Sequence, residues 1–428
     1  MMLPILSSIF AFSILIGVPI AFGMGLAGVS WILFFEGLDA SLLARRMFTV
    51  LSSFPLLAIP LFIMMGFLAE RCGMLSELVR WLQLLLGRLK GGMAYINVAN
   101  SMFFAGVSGT AISDVASLGR VEIDLMKKAG YSVPYSAALT AASSICGPII
   151  PPSVAMVIYA LAAGGVSIAG LFMAGAVPGL LLGFGMLGIS WYKARSGDYG
   201  TMVDRPNLAA ILRQTVHVIP LIILPVLIIG GIVAGIFTVT ESAAIGVIYV
   251  LILGFAVTKQ LRLRDVYDAT VYGAVVSSVL GMLIGAGAIV AWILTRNQVT
   301  QQLADNLTSV TTDPTLFMIA VAVALLLLGT VMDATAITIA LAPLLAPIAR
   351  LYGVDDLQFG VVFVLSTMVG LITPPVGIIL SLTATVAGIS LEAVSQAIIP
   401  FVAWIIVVVA LIVLIPSLTL WLPHLLGF

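Results

Sequence analysis

The sequence predicts an all-α polytopic membrane protein that contains an inverted repeat. Three observations support this fold class: a very apolar composition, two Pro-Pro pairs in matching contexts, and basic residues that orient the two halves oppositely. Of the 428 residues, 62% are hydrophobic and only 8% are charged, and the mean hydropathy is +1.24. Soluble domains carry about 25% charged residues, so the helices are expected to span a bilayer.

The composition also excludes several classes of function. The net charge is zero, so no basic surface points to nucleic acid as a partner. The two cysteines, Cys72 and Cys146, are interpreted as packing residues rather than a disulfide. The two histidines, His217 and His424, lie near segment ends, which excludes a metal centre with several histidine ligands. No cofactor is expected apart from a coupling ion.

Ten apolar runs are long enough to cross a hydrocarbon core of about 30 Å. They fall at residues 3–20, 20–37, 51–69, 134–164, 170–192, 217–236, 240–258, 270–294, 357–388 and 397–422. Two other runs, 92–126 and 315–349, have a polar, glycine-containing centre. Each of these two could be one long helix, but the polar centre favours a re-entrant helical hairpin of two half-helices.

Two Pro-Pro pairs, 223 residues apart, interrupt two of the ten runs. The first stands in residues 147–153 (Gly-Pro-Ile-Ile-Pro-Pro-Ser), the second in residues 370–376 (Gly-Leu-Ile-Thr-Pro-Pro-Val). Each helix is expected to break there, because proline removes a backbone donor and clashes with the preceding turn. In hydrocarbon the freed backbone groups are tolerated only where they face protein or a water-filled cavity. Two broken helices in corresponding halves therefore point to the binding site of a transporter.

Basic residues assign the two hairpins to opposite sides of the membrane. The first hairpin is flanked by Arg88, Lys90, Lys127 and Lys128 and is expected to open to the cytoplasm. The second is flanked by Arg296 and Arg350, and four nearby aspartates offset their positive charge. It is therefore expected to open to the other side. The result is two halves of opposite orientation, each with five transmembrane crossings and one hairpin.

The expected domain boundaries follow from this topology. The first repeat covers residues 1–192, with scaffold helices at about 1–70, hairpin one at about 92–126 and a broken helix at about 134–164. Residues 193–216 are the expected cytoplasmic connector. The second repeat covers residues 217–428, with hairpin two at about 315–349 and a broken helix at about 357–388.

The polar hairpin centres and the backbone around the Pro pairs are expected to meet near the membrane midplane. Backbone carbonyls, hydroxyls and a carboxylate suit Na+ in transporters with broken helices. Na+ site one is predicted at Ser108, Gly109, Thr110, Ser113, Asp114, Gly147, Pro148 and Ser153. Na+ site two is predicted at Gly329, Thr330, Asp333, Thr335, Gly370, Thr373, Pro374 and Gly377. The alternative is that these small residues only allow close helix packing.

Two intramembrane acids stand out, since such residues are costly and usually functional. Asp333 has no basic residue nearby in sequence and is the stronger predicted ion ligand. Asp114 either binds the ion or caps the returning half-helix. An anionic substrate would need half-helix N-termini or an arginine, and the substrate positions predicted at the hairpin centres are Ser108, Thr110 and Thr335.

Other functional classes fit the sequence less well. Residues 106–109 (Gly-Val-Ser-Gly) match the G-x-S-G signature of intramembrane serine proteases. A nucleophilic serine needs a general base within reach, and neither histidine lies at membrane depth. A passive channel would not need two inverted broken-helix units. The remaining alternative is a stand-alone sodium/anion symporter of the same architecture.

Six stretches carry a family resemblance. They are residues 53–60 (SFPLLAIP), 108–114 (SGTAISD), 147–153 (GPIIPPS), 235–241 (GIFTVTE), 331–333 (VMD) and 370–377 (GLITPPVG). In this order, and over nearly the whole chain, the sequence resembles the large membrane (M) subunit of tripartite ATP-independent periplasmic (TRAP) transporters. Val239 stands where that family usually has proline, and Thr110 where serine is common, which keeps a hydroxyl at position 110.

The resemblance implies a Na+-coupled importer in the bacterial inner membrane, with two or more Na+ bound between each hairpin and its broken helix. The substrate would be an organic acid such as a C4-dicarboxylate, a sugar acid or sialic acid. The implied partners are a small four-helix membrane subunit (Q type) and a periplasmic substrate-binding protein (P type). The implied mechanism is an elevator-type motion of the hairpins and broken helices against the scaffold. No ATP-binding motif occurs in the sequence, so no ATPase is expected.

Overall fold

The computed structural model describes residues 2–37, 39, 41–197 and 208–428. Across these residues the chain forms helices joined by turns and has no strand, which confirms the predicted all-α fold class. Residues 198–207 of the predicted connector at 193–216 lie outside the described residues.

Twenty-one α-helices follow one another in the described parts of the chain. The first eleven are α1 (Met2–Leu15), α2 (Ile20–Trp31), α3 (Ser41–Leu51), α4 (Ala58–Arg71), α5 (Met74–Leu86), α6 (Gly92–Ser108), α7 (Ala111–Ser117), α8 (Gly119–Lys128), α9 (Val133–Ser143), α10 (Val154–Ala163) and α11 (Ile168–Ser196). The others are α12 (Leu208–Val233), α13 (Val239–Ile252), α14 (Leu263–Arg296), α15 (Val299–Val310), α16 (Pro314–Gly329), α17 (Ala334–Leu351), α18 (Asp356–Leu371), α19 (Ile378–Ala387), α20 (Leu391–Leu414) and α21 (Ser417–Leu425).

Among the described residues, seven helical segments are long and apolar enough to cross a membrane: Phe54–Arg71, Ile168–Arg195, Leu208–Val233, Val239–Val257, Leu263–Arg296, Ala334–Leu351 and Leu391–Leu414. Six of them lie at predicted crossings, and the seventh, α17, is the second arm of predicted hairpin two. The predicted crossings at 3–20 and 20–37 are the shorter helices α1 and α2. The run predicted at 397–422 ends earlier, because α20 stops at Leu414 and Pro416 precedes the separate helix α21.

Both Pro-Pro pairs and both polar centres divide a helix. Residues 147–153 separate α9 and a short 3₁₀ turn (Ser144–Cys146) from α10, and residues 372–377 separate α18 from α19. α6 ends at Ser108 before α7, and α16 ends at Gly329 before α17. The breaks are therefore confirmed, and the single long helix is wrong for both hairpins. The opposite membrane orientation of the two halves stays a prediction.

The broken helices interlock the two halves. α10, from the first half, packs on α17 and α18 of the second, whereas α19, from the second half, packs on α7 and α9 of the first. The 34-residue helix α14 is about 51 Å long at 1.5 Å per residue and packs on α2, α3 and α4 as well as on α17. Helices α4 and α14 therefore border the hairpin breaks.

The structure also shows one capping motif and confirms the interpretation of the two cysteines. Thr238 and Glu241 form a capping box at the start of α13, where the Glu241 carboxylate accepts from the Thr238 N–H at 2.8 Å and the Thr238 hydroxyl accepts from the Glu241 N–H at 3.2 Å. Cys72 and Cys146 are both buried and free. Burial raises the pKa of the Cys72 thiol, which lowers its reactivity.

The inverted topology predicts that Lys127 and Asp305, both exposed, lie on opposite sides of the membrane. We expect a membrane-impermeant maleimide to label Lys127→Cys only from the cytoplasmic side and Asp305→Cys only from the other side, in intact cells compared with inverted vesicles. The unsubstituted protein is the control and should stay unlabelled, since its two cysteines are buried. Labelling of both variants from one side would contradict the inverted repeat.

Candidate functional site

The first helix break exposes backbone at the centre of hairpin one. Gly109 has φ +63°, a left-handed conformation that glycine adopts without strain. The Thr110 hydroxyl then accepts a hydrogen bond from the Ser113 N–H at 3.4 Å and caps α7. Thr110 therefore occupies the capping position, and the interpretation of Asp114 as the helix cap is wrong.

The broken helix α9–α10 closes over this break. The Val154 N–H donates to the Gly109 carbonyl at 3.3 Å. The Ser153 hydroxyl caps α10 and donates to the Pro148 carbonyl at 2.5 Å. A methyl group on Gly147 would lie 3.0 Å from the carbonyl carbon of Thr110, so the backbone would have to shift by a few tenths of an ångström to accept it.

The second unit makes a similar contact from the corresponding donor, although the position that corresponds to Gly109 is Met332 and the acceptor is Thr330. The Gly377 N–H donates to the Thr330 carbonyl at 3.2 Å, and Gly377 lies 223 residues after Val154. Asp333, which is 223 residues after Thr110, caps α17 by accepting from the Thr335 N–H at 2.9 Å. A methyl group on Gly370 would lie 2.5 Å from the Cα of Gly329. Each hairpin break is thus held by the backbone of its own broken helix.

The two breaks open onto one cavity of about 430 Å³, which is within the size range of ligand pockets. Hairpin one, hairpin two and the first broken helix contribute seven of the predicted site residues: Ser108, Gly109, Thr110, Ser113, Pro148, Asp333 and Thr335. All three predicted substrate positions are in this set. The opposite wall comes from α4 and α14 and includes Phe67, Glu70 and Tyr272.

Nine predicted site residues do not line this cavity: Asp114, Gly147, Ser153, Gly329, Thr330, Gly370, Thr373, Pro374 and Gly377. The hydroxyls of Thr330 and Thr373 donate to backbone carbonyls of their own helices at 2.7 Å. The second Pro pair also differs from the first in its surroundings, because Pro151 and Pro152 are buried whereas Pro374 and Pro375 are exposed.

Asp333 and Asp114 occupy different environments. The Oδ1 atom of Asp333 caps α17, and no hydrogen bond within the described chain uses its Oδ2 atom, so one oxygen of this half-buried carboxylate is available in the cavity. Asp114 is only 3% exposed and packs on the far side of α7, with Ser101 and Glu122. The two acids therefore do not play equivalent parts.

Sequence reasoning missed Glu70 and Tyr272. The Tyr272 ring lies 5.4 Å from that of Phe67, and Glu70 places a second carboxylate in the cavity. Neighbouring Arg71 does not line the cavity. It pairs with Asp265 at 3.7 Å, and its guanidinium lies over the ring of Phe67, 5.2 Å from the ring centroid. The only signal for Glu70 in the sequence was an acid near the end of an apolar run, and that signal does not show which way the side chain faces.

No histidine, lysine or arginine is among the described residues that line the cavity. Ser108 faces the cavity without a general base, and its hydroxyl donates at 3.4 Å to the Thr110 carbonyl. The structure therefore gives no support to the serine protease alternative. What the site offers is hydroxyls, backbone carbonyls and two carboxylates, which are ligands for a hard cation.

A sequence comparison covers almost the whole chain. Residues 7–418 match the family described as "Tripartite ATP-independent periplasmic transporter, DctM component". The chain belongs to this family. It is a multi-pass membrane protein and a TRAP transporter component, which confirms the resemblance found in the sequence.

Two relatives illustrate the match. The chain is 36% identical over 417 residues to the isethionate TRAP transporter permease protein DctMQ of Oleidesulfovibrio alaskensis, covering 97% of this chain and 65% of that protein. It is 31% identical over 413 residues to the sialic acid TRAP transporter large permease protein SiaM of Vibrio cholerae, covering 96% of each. The chain thus spans slightly less than two thirds of the first relative and nearly all of the second.

A solved structure shares the fold. MtrF of Neisseria gonorrhoeae, described as illuminating a class of antimetabolite efflux pumps, superposes with a TM-score of 0.64 at 15% identity and covers 89% of this chain and 85% of its own. At this identity the likeness concerns the fold alone.

The close approach of Gly370 to Gly329 yields a stability prediction. Gly370→Ala forces a methyl group against rigid backbone and should lower the free energy of unfolding by about 1–3 kcal/mol. Thermal unfolding of the detergent-purified protein measures this loss. The control is Gly188→Ala in α11, where the added methyl meets no atom within 4 Å and the melting temperature should not fall. Equal melting temperatures for both variants would contradict the packing described here.

Proposed function

We propose that this chain is the large membrane subunit of a secondary transporter that couples import of an organic acid anion to Na+ across the bacterial inner membrane. The observation that carries the proposal is the cavity in which the two hairpin breaks meet. It combines hydroxyls, exposed backbone and the free oxygen of Asp333 in the interior of a membrane protein. Broken helices at such a site are the means by which repeat-built transporters bind ions and substrate.

The charges of the cavity explain why cation and anion would bind together. Glu70 and Asp333 both line it, and no basic side chain is found among its described lining residues. Like charges in one cavity repel each other, and they do so more strongly there than in bulk water. An anionic substrate therefore binds well only with a compensating positive charge. A bound Na+ supplies that charge. Bound Na+ then raises the affinity for the substrate, and bound substrate raises the affinity for Na+ by the same factor.

Two Na+ sites are proposed, one at each break. Site one uses the groups around Gly109, namely Ser108, Thr110, Ser113, Gly147, Pro148 and Ser153. Site two uses Gly329, Thr330, Thr335, Gly370, Thr373, Pro374 and Gly377, with Asp333 as its charged ligand. A backbone carbonyl has two lone pairs, so the Gly109 and Thr330 carbonyls that accept from the broken helices keep one for an ion.

The proposed substrate class is an organic acid, bound near Ser108, Thr110 and Thr335. The relatives are named for isethionate, a sulfonate, and for sialic acid, a sugar acid, which supports an organic anion and leaves its identity open. C4-dicarboxylates belong to the same proposed class. A thermal-shift screen of organic acids against the binding protein encoded beside this chain would identify the substrate.

The proposed partners are a small four-helix membrane subunit and a periplasmic substrate-binding protein. Support comes from membership of a tripartite family and from the name "large permease" of the Vibrio relative. Large apolar side chains such as Phe34 and Phe48, 81% and 73% exposed, would face lipid or the small subunit. In the proposed elevator motion, the hairpins and broken helices move against α4 and α14.

The second candidate is a stand-alone sodium/anion symporter of the same architecture, which would need no binding protein. Uptake by proteoliposomes separates the two functions. The tripartite proposal requires an inward Na+ gradient and the added binding protein, whereas the symporter requires the gradient alone. Uptake that needs neither would overturn both.

Asp333→Ala should abolish Na+-driven uptake in proteoliposomes supplied with the binding protein, because it removes the charged ligand of site two. The variant also loses a helix cap, so a matched control is needed. Asp313 caps α16 with the same geometry, accepting from the Thr315 N–H at 2.8 Å, and is exposed away from the cavity. Asp313→Ala should keep sodium-dependent uptake. Retained sodium dependence in Asp333→Ala would refute the assignment.

Glu70→Gln removes a negative charge from the cavity wall and should tighten binding of the anionic substrate. A gain of about 1 kcal/mol, roughly fivefold in the half-saturating concentration, is the size of one screened charge interaction. Concentration-dependent uptake measures it. Asp124→Asn, at an exposed acid on α8, is the control and should leave this concentration unchanged. Weaker binding in Glu70→Gln would instead show that Glu70 accepts a hydrogen bond from the substrate.

A further inference from the structure

The C-terminal end of α14 carries a group of basic and aromatic side chains. The Arg46 guanidinium lies 5.2 Å from the centre of the Trp292 ring, and the Arg296 guanidinium lies 5.3 Å from it. A guanidinium over an indole ring is a favourable cation–π contact. Since tryptophan is enriched where a transmembrane segment meets water, this group marks one end of the membrane-spanning segment Leu263–Arg296.

Glu36 is the carboxylate at the centre of this group. Its Oε1 atom accepts from the Trp31 indole N–H at 3.0 Å and from the Asn297 amide at 2.8 Å. Its Oε2 atom pairs with Nε of Arg296 at 2.9 Å. The charge of Glu36 is therefore used by Arg296, which leaves the other arginines of the group without this partner.

Arg45 and Arg46 are these other arginines. Both are exposed, and no carboxylate of the described residues lies within 4 Å of either guanidinium. Asp39, the acid nearest to them in sequence, accepts instead from the Ser41 N–H at 2.9 Å. Two positive charges thus lie side by side at this end of α14 without an ion pair in the described chain.

The direction of α3 places these arginines at the membrane surface. The helix packs on α14, with Leu51 beside Gly281 and Met47 beside Gly285. Gly281 is near the middle of α14, whereas Trp292 is four residues from its end. α3 therefore runs from the surface towards the membrane interior. Its 11 residues make it about 16 Å long, which is too short to cross the bilayer.

Phe48 continues the exposed face of α3 below the arginines. It follows Arg45 by three residues, so the two side chains lie on one face of the helix, and it is 73% exposed. A phospholipid has the same order of groups, since its phosphate lies at the surface and its acyl chains lie beneath. A soluble protein that docks from the water would contact the arginines but not the ring below them.

The predicted topology gives Arg45 and Arg46 no part in orienting the chain. It places this end of α14 on the side opposite to the cytoplasm, whereas the lysines and arginines that orient membrane proteins are concentrated on the cytoplasmic side. A bound anion explains two adjacent arginines at this position better than topology does.

We propose that Arg45 and Arg46 bind the phosphate of an anionic phospholipid, whose acyl chain lies along Phe48. Guanidinium groups suit this ligand because their N–H donors match the geometry of phosphate oxygens. A choline or ethanolamine headgroup would bring a cation beside the two arginines, and the Trp292 ring that could bind this cation already has two guanidinium groups over it. The site should therefore prefer a headgroup without a positive charge, such as phosphatidylglycerol. This inference goes beyond the proposed function and does not depend on it.

A lipid held on α3 would stabilise the packing of α3 on α14. Leu51 of α3 lies beside Gly281, and the preceding residue of α14, Leu280, lines the cavity. A ligand that binds the folded protein and not the unfolded chain raises the melting temperature. Lipid binding and thermal stability should therefore change together.

Mass spectrometry of the intact, detergent-purified protein counts bound lipids and tests the proposal. Phosphatidylglycerol should add one tightly bound lipid to the wild type, and phosphatidylcholine should not. The double variant Arg45→Gln/Arg46→Gln should weaken this binding roughly thirtyfold, the equivalent of about 1 kcal/mol for each arginine. Because Arg46 also contacts Trp292, Arg45→Gln alone is the milder variant and should weaken binding about fivefold.

Lys127→Gln/Lys128→Gln is the matched control. It removes an adjacent pair of exposed basic residues from α8 and should leave the tightly bound lipid in place. An equal loss of lipid in this control would show unspecific attraction between lipid and positive charge and would overturn the proposal. Equal binding of phosphatidylcholine to the wild type would overturn it as well.

Thermal unfolding separates a lipid from the other possible occupants. Phosphatidylglycerol should raise the melting temperature of the wild type but not that of Arg45→Gln/Arg46→Gln, and water-soluble glycerol 3-phosphate should raise neither. An equal rise with glycerol 3-phosphate would show a site for a free anion and refute the lipid. Loss of a co-purifying membrane subunit from the double variant, with unchanged lipid binding, would show a protein partner on this face instead.

Discussion

The rest of the structure depends on closing the backbone gaps that the proline and glycine breaks open inside the membrane. A bare carbonyl or amide in hydrocarbon costs several kcal/mol. The chain meets this cost with a similar contact in each half, from the Val154 N–H to the Gly109 carbonyl and from the Gly377 N–H to the Thr330 carbonyl. Each hairpin forms a backbone hydrogen bond with its own broken helix. Separating the hairpin from that helix would leave these backbone groups without a partner, at a cost in free energy. In the proposed elevator motion, each hairpin would therefore move together with its broken helix.

The small residues at the breaks serve packing and function together. Gly147, Gly329 and Gly370 allow backbone to approach backbone, which is the packing explanation offered for them from the sequence. That approach also holds Ser108, Thr110 and Thr335 at the cavity wall. In the proposed function, packing and ion binding are consecutive steps and not alternatives: the glycines bring the elements together, and the hydroxyls and carbonyls beside them would bind the ion.

Local signals predicted the parts of the fold that local physics determines. Proline, glycine and polar centres marked the breaks of both hairpins and both broken helices, but the break between α20 and α21 was not predicted. Hydropathy missed α3, α5 and α15, because amphipathic helices carry too many polar residues for an apolar run. The sequence did not predict how each helix is rotated about its axis, and so it did not predict which side chains face the cavity. Asp114 and Asp333 hold similar places after their hairpin centres, yet one faces a buried cluster and the other the cavity. Glu70 and Asp333 are far apart in the sequence, and only the tertiary fold brings both to the wall of one cavity.

The placement of the acids accounts for how coupling would work in the proposed cycle. Asp333 alone is tolerable in the empty carrier, because two backbone N–H groups at the start of α17 stabilise its charge. The substrate adds a further negative charge beside Asp333 and Glu70, and no basic residue among the described cavity wall offsets it. The carrier that holds substrate without Na+ is then an unfavourable state. The empty carrier and the carrier that holds both substrate and Na+ are more favourable. Coupling of this kind needs no gate, since the charge of the cargo itself blocks the uncoupled step.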